Sequence, residues 1–103
     1  MALTRFAPSP TGALHLGNAR SFLITYILAR KNKWKTLLRI EDLDGPRVRK
    51  DSDKQAMADL QWLGITSDTG PVYQSQRLPF YSEAVGRLLR SALAYPCVCS
   101  RSE

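Results

Sequence analysis

At 103 residues, with 44% apolar and 23% charged side chains, the chain is sized and composed for one globular domain rather than for a disordered or membrane-spanning polypeptide. Fifteen lysines and arginines against nine acidic residues leave a net charge of +6, which favours polyanionic partners without by itself requiring a nucleic acid. Arg5 and Pro8 interrupt any apolar run at the start, so no secretory signal is read there, and the longest apolar stretch, Phe22 to Ala29, is far too short to span a bilayer.

Leu3 to Phe6 reads as a short strand, and Pro8 to Gly17 as a loop dense in turn residues. From Asn18 the apolar residues Ala19, Phe22, Leu23, Tyr26 and Ile27 recur at three- and four-residue steps, the spacing of an amphipathic helix, which ends in the polar run Arg30-Lys31-Asn32-Lys33. Thr36 to Ile40, apolar except for Arg39, fits a buried parallel strand. Its exit is the acidic turn Glu41-Asp42-Leu43-Asp44-Gly45-Pro46-Arg47. A second helix is expected from the N-caps offered at Asp51 to Asp53, through Ala56, Met57, Leu60 and Leu63, to Gly64. Val72-Tyr73 reads as a short strand or edge segment. A third helix starts near Pro79, with Phe80, Ala84, Leu88, Leu89 and Ala92 on one face, and Tyr95 to Cys99 opens a new extended segment. This alternation predicts an α/β fold with an open parallel sheet, in which ligands gather at the carboxyl ends of the strands. Arg5 to Ser9 and Glu41 to Asp44 occupy those ends.

Neither G-x-G-x-x-G nor G-x-x-x-x-G-K-[ST] occurs, so any phosphate site must use another device. His15, the one histidine, and Gly17 stand at a helix start, where an imidazole donor and a helix dipole suit phosphate. The same residues fit a surface histidine in a capping turn. Arg5 could pair with a carboxylate and Glu41 with an ammonium, together suiting an amino acid, or the two could form an ion pair between neighbouring strands. Asp42, Asp44 and Arg47 read as shaping the turn and capping the next helix. The basic run Arg30 to Lys35 reads as a solvated helix end with cations near the C-terminal dipole, with phosphate contact as the alternative. Cys97 and Cys99 are too close for an unstrained disulfide, which leaves reduced thiols, and hence a cytoplasmic protein, or two of the four ligands a structural zinc needs.

The ordered set Arg5-Phe-Ala-Pro-Ser-Pro-Thr-Gly-x-Leu-His15-x-Gly17, then Leu38-Arg39-Ile40-Glu41-Asp42-x-Asp44, then Tyr73-Gln74-Ser75-Gln76-Arg77, then Tyr95-Pro96-Cys97-x-Cys99, resembles the class I glutamyl-tRNA synthetase family across the whole chain. His15-Leu16-Gly17-Asn18 stands where the family carries its "HIGH" signature. Glu41 to Arg47 and the Tyr95-Pro96-Cys97 segment are most similar to the glutamyl-queuosine tRNA(Asp) synthetase branch. The resemblance implies the N-terminal half of a class I Rossmann-like parallel-sheet catalytic domain over residues 1–94, with residues 95–103 opening a zinc-bearing insertion. It implies that ATP, with magnesium, is bound by Pro8, Ser9, Thr11, Gly12, His15, Gly17 and Asn18, of which His15 and Gly17 act in catalysis. It implies a glutamate pocket from Arg5, Phe6, Ala7, Pro8, Ser9 and Glu41, and zinc on Cys97 and Cys99. The expected reaction is ATP-dependent activation of L-glutamate and its transfer to tRNA, by a monomer away from membranes. The acceptor is tRNA(Asp) carrying queuosine or, for an ordinary glutamyl-tRNA synthetase, tRNA(Glu). The family's lysine-containing KMSKS loop is absent and no lysine follows Lys54, so the 103 residues are expected to be a partial catalytic domain, inactive alone. A non-catalytic nucleotide- or RNA-binding module is the reading from another class.

Overall fold

The computed structural model describes residues 2–100 and 102. Its sheet has three parallel strands in the order β1 (Leu3–Phe6), β2 (Lys35–Ile40) and β3 (Thr69–Tyr73). Helix α1 (Leu16–Lys31) connects the first pair and α2 (Ser52–Trp62) the second, while α3 (Leu78–Arg90) follows β3. Short 3₁₀ turns at Gly45–Arg47 and Gln74–Arg77 follow β2 and β3. The expected α/β alternation is therefore present, with β1 and β3 as the sheet edges.

Strand alternation decides what is buried. Thr36, Leu38 and Ile40 of β2 point into the core, and Phe6 of β1, paired in register with Leu38, joins them. Leu60 and Ile65 close the cluster from α2 and the turn after it, and Phe22 and Tyr26 pack on it from α1. Phe6 meets the Phe22 ring edge-on, with centroids 6.2 Å apart. Both connecting helices thus cover one face of the sheet, and Leu37 and Arg39 lie on the other.

The inward face of α1 is Phe22, Tyr26 and Ala29, at steps of four and three; Leu23 and Ile27, expected on it, are exposed. Helix α3 departs further. It begins at Leu78, and the apolar face expected there stays uncovered among the described residues, with Phe80, Leu88 and Leu89 all exposed.

Each helix ends on the same hydrogen-bonded turn. At α2, Gly64 N–H donates to the Gln61 carbonyl and Ile65 N–H to that of Leu60, with Gly64 left-handed at φ 77° and Ile65 and Leu60 both in the core. Lys33 and Ala92 take the same left-handed place after α1 and α3, without a glycine. Asp51, expected to cap α2, makes no side-chain cap bond; it lies in the left-handed region itself and pairs with Lys54 at 3.0 Å.

The amino-terminal end of the sheet is tied by Asp68. Its Oδ2 accepts from both the amide and the hydroxyl of buried Thr36, each at 2.8 Å, and Oδ1 accepts from Arg30 at 3.4 Å. Arg30 also reaches Thr66 and lies over the Tyr26 ring. The Thr36 amide and hydroxyl hold the Asp68 carboxyl below the usual carboxylate range. A group held low in the folded chain adds stability above its unfolded pKa, about 4, and loses it as pH falls through the folded value. Asp68→Asn is therefore expected to lower the melting temperature at neutral pH, with the deficit narrowing below about pH 4. A deficit that stays constant on acidification contradicts this.

Strand β3 starts earlier than the expected Val72-Tyr73. Leu37 pairs with Thr69 but Arg39 with Val72, so β3 carries one extra residue, a bulge at Gly70-Pro71. Gly70 has φ 103°, and a Cβ there would collide with the Leu38 carbonyl. Glycine and proline, poor strand formers, mask this segment in the sequence.

Candidate active site

β1 ends at Phe6, and the chain turns through buried Pro8 and Pro10, with Thr11 N–H closing on the Ser9 carbonyl at 2.8 Å. Prolines suit this path because their carbonyls remain free to accept. The Pro8 carbonyl takes the Glu41 amide and the Pro10 carbonyl takes that of Arg49, both at 3.0 Å. One loop is thereby stitched to the segment leaving β2.

The loop delivers His15 as the N-cap of α1. Its Nδ1 accepts from the Asn18 amide at 3.3 Å, and Asn18 Oδ1 accepts from the His15 amide at 3.4 Å, a reciprocal capping box. An accepting Nδ1 in a neutral ring places the ring proton on Nε2, which has no partner among the described residues. Gly17 makes room for this ring position, since a Cβ there would lie 3.0 Å from His15 Cε1. The capping and phosphate-facing readings of His15 are thus compatible: one nitrogen caps while the other stays available beside the helix N-terminus. Ala7, Ser9, Thr11, Gly12, His15 and Asn18 line a cleft of about 300 Å³ here.

Glu41 leaves β2 on the side opposite the core. Its Oε1 accepts from Arg39 Nη2 at 2.6 Å, and its Oε2 has no partner among the described residues. The Arg39 Nε is buried and unbonded. The expected alternative of an Arg5–Glu41 ion pair is not formed. Arg5 is in register with Leu37, four residues before Glu41, which at about 3.3 Å per residue is too far for a direct pair. The partner of Glu41 is Arg39 instead. Arg5 lies exposed in a separate depression along β1 with Leu3, Thr4, Thr25 and Leu37.

Asp42 does not cap the next helix. Its Oδ1 accepts from the Ser75 amide at 2.8 Å and its Oδ2 from the Ser75 hydroxyl at 2.6 Å, across to the exit of β3. Asp44 and Arg47 do shape the turn, 3.6 Å apart. Tyr73 donates to Asp53 Oδ2 at 2.7 Å, and that hydrogen bond, then burial and the carboxylate's charge, push the phenol up to about 12.

Of the expected ligand residues, the structure gathers Ala7, Ser9, Thr11, Gly12, His15 and Asn18 in one cleft, with Gly17 behind the imidazole. Phe6 is 1% exposed and belongs to the core, so contrary to expectation it offers a ligand no surface; the buried Pro8 acts on Glu41 through its carbonyl. Arg39 and Ser75 were not singled out from sequence. Arg39 could have been, because residues two apart at a strand end share a face. The Asp42–Ser75 contact spans 33 positions and has no local signature.

Cys97 and Cys99 are exposed free thiols in an irregular segment; Arg101 and Glu103, at the end of the expected insertion, lie outside the described residues. The Cys99 amide and thiol hold the Cys97 thiol below its usual range. Two sulfurs suit zinc, but the described residues hold no cluster of three or more metal-binding side chains. No described helix is long and apolar enough to cross a membrane.

The sequence family "tRNA synthetases class I (E and Q), catalytic domain" matches residues 1–103. The glutamyl-Q tRNA(Asp) synthetase of Rhodopirellula baltica is 49% identical over 102 residues, covering 99% of this chain and 31% of that protein. The glutamate–tRNA ligase of Geotalea uraniireducens is 50% identical over 99 residues, covering 96% and 21%. A crystal structure of a glutamate tRNA ligase from Elizabethkingia meningosepticum, in complex with its amino acid, superposes with TM-score 0.80 at 37% identity, over 86% of this chain and 19% of that one. The chain therefore spans about a fifth to a third of the length of these curated relatives.

Proposed function

Since the chain belongs to the class I (E and Q) tRNA synthetase catalytic-domain family, we propose that its protein activates L-glutamate with ATP and transfers it to tRNA. The observation that carries this reading is that one loop, Ala7 to His15, both lines the cleft beside the α1 N-terminus and holds Glu41 through the Pro8 carbonyl. In this reading, that loop would tie an ATP site to an amino-group site.

In this reading the glutamate α-carboxylate attacks the α-phosphorus of ATP. A phosphorus–oxygen bond forms, pyrophosphate leaves, and glutamyl-adenylate results. An RNA hydroxyl then takes the acyl group and AMP leaves. The protein forms no covalent intermediate, so its contribution is positioning and electrostatics. His15 Nε2–H donates to phosphate oxygen as charge develops there, aided by the amides opening α1. Glu41 Oε2 accepts from the substrate ammonium while Arg39 holds Oε1. Arg5 would pair with the substrate's other carboxylate, reaching it from its separate depression along β1. Magnesium bound to the triphosphate would add charge neutralisation.

Cys97 and Cys99 would supply two thiolate ligands of a structural zinc, at the opening of an insertion over residues 95–103. Free thiols are in keeping with a cytoplasmic protein, taken here as a monomer. The acceptor is read as queuosine-bearing tRNA(Asp) on the strength of Glu41 to Arg47 and Tyr95 to Cys97. Identity to the two branches is nearly equal, at 49% and 50%, so tRNA(Glu) is the competing acceptor.

Glutamate-dependent ATP–pyrophosphate exchange by the protein carrying these residues tests the reading. Exchange with glutamate and not with glutamine or aspartate is expected; its absence overturns the proposal. Glu41→Gln, which keeps shape and removes charge, should raise the glutamate KM about tenfold to a hundredfold.

A further inference from the structure

Glu41 stands one residue beyond the end of β2, where the ladder to β3 has closed at the Ile40–Tyr73 pair. Sheet pairing therefore does not fix it. Its amide is held on one side by the Pro8 carbonyl. On the other side the next residue, Asp42, crosses to Ser75 with both carboxylate oxygens, at 2.8 and 2.6 Å. Two charge-assisted bonds to one residue fix the orientation of Asp42 as well as its position. Ser75 is itself set in the 3₁₀ turn Gln74–Arg77, which runs straight into α3.

We propose that Asp42 and Ser75 are positioning residues for Glu41. The inference rests on the proposed role of Glu41 in holding the substrate amino group. The clasp has two effects. It anchors the peptide that follows Glu41 to the exit of β3, so Glu41 is pinned from both neighbouring strands. It also occupies both oxygens of Asp42, which would otherwise offer a second carboxylate beside Glu41. The remaining acids of this end are engaged: Asp44 with Arg47, Asp51 with Lys54, Asp53 with Tyr73. Glu41 Oε2 is left for the ammonium, and the clasp selects which of two adjacent acids receives it.

The test is steady-state ATP–pyrophosphate exchange in the full-length protein carrying Ser75→Ala, Ser75→Thr, Asp42→Asn or Glu41→Gln, with KM read separately for glutamate and ATP. Ser75→Ala and Asp42→Asn are expected to raise the glutamate KM on the order of tenfold, with the ATP KM within about twofold of the parent, as for a small displacement of one binding group. Ser75→Thr, which keeps the hydroxyl, should restore near-parental values. An unchanged glutamate KM in Ser75→Ala overturns the proposal. So does a rise in both KM values together with a lowered melting temperature, the mark of a purely structural brace, or a Ser75→Thr as impaired as Ser75→Ala. Glu41→Gln separates the two levels. If it leaves the glutamate KM untouched, the assignment of Glu41 fails and the clasp's role falls with it. If it raises that KM and Ser75→Ala does not, only the clasp fails.

Discussion

Replacing His15 by asparagine is expected to slow ATP–pyrophosphate exchange about a hundredfold or more while leaving unfolding stability within about 1 kcal/mol of the parent. The two nitrogens of the ring have separate tasks. Nδ1 caps α1 by accepting from the Asn18 amide, and asparagine, among the best N-cap residues, can take over that bond. Nothing in asparagine reproduces Nε2 at its distance from the backbone, so a donor to the phosphates is lost, and removal of one such donor typically costs about 3–4 kcal/mol in the transition state. Alanine is a less informative substitution, because it removes cap and donor together and mixes about 1 kcal/mol of helix stability into the result. Near-parental exchange by a folded asparagine variant would remove His15 from the chemistry and leave it a cap.

Gly70→Ala is expected to destabilise the fold by about 3 kcal/mol, read as a lower urea midpoint with an unchanged slope. Two penalties coincide there. The backbone at φ 103° lies where a side chain is strained, and the added Cβ meets the Leu38 carbonyl, a main-chain atom of the central strand that cannot swing aside. A domain of this size has only about 5–15 kcal/mol to lose. Because the bulge sets the path of β3 toward Tyr73 and Ser75, partial relaxation would also disturb the Asp42 clasp. A loss under about 1 kcal/mol would mean that the bulge can reposition against β2.

The sequence reveals most where one local pattern has one structural meaning. Thr36 to Ile40 is legible as a strand because its largely apolar run is short and followed by turn residues, and Leu3 to Phe6 because it is short and stops at a proline-rich turn. Thr69 to Pro71 is not, since Gly70 and Pro71 carry the composition of a loop and pair only because a bulge accommodates them. The cleft residues from Ala7 to Asn18 were legible as a group because they are contiguous, so the turn that makes them a motif also makes them neighbours. Arg5 and Glu41 were correctly set on strand ends, but whether they touch depends on register, which a single strand does not disclose. Asp42 illustrates the same limit: its turn is local, whereas its partner Ser75 comes from the turn that follows another strand. The apolar stripe of α3 was legible as amphipathic, yet periodicity cannot tell a covered stripe from an exposed one.

The left-handed turns that finish α1, α2 and α3 bear on how far this sequence can drift. Only α2 has a glycine at that position, while Lys33 and Ala92 take the same conformation at a strain of about 1–2 kcal/mol each. Helix termination here is thus a property of the pair of backbone bonds around each turn, not of the residue at its centre. Substitution at positions 33 and 92 should leave the boundaries of α1 and α3 where they are. Gly70 lacks that latitude, and descendants of this chain can vary at their helix ends long before they can vary at that bulge.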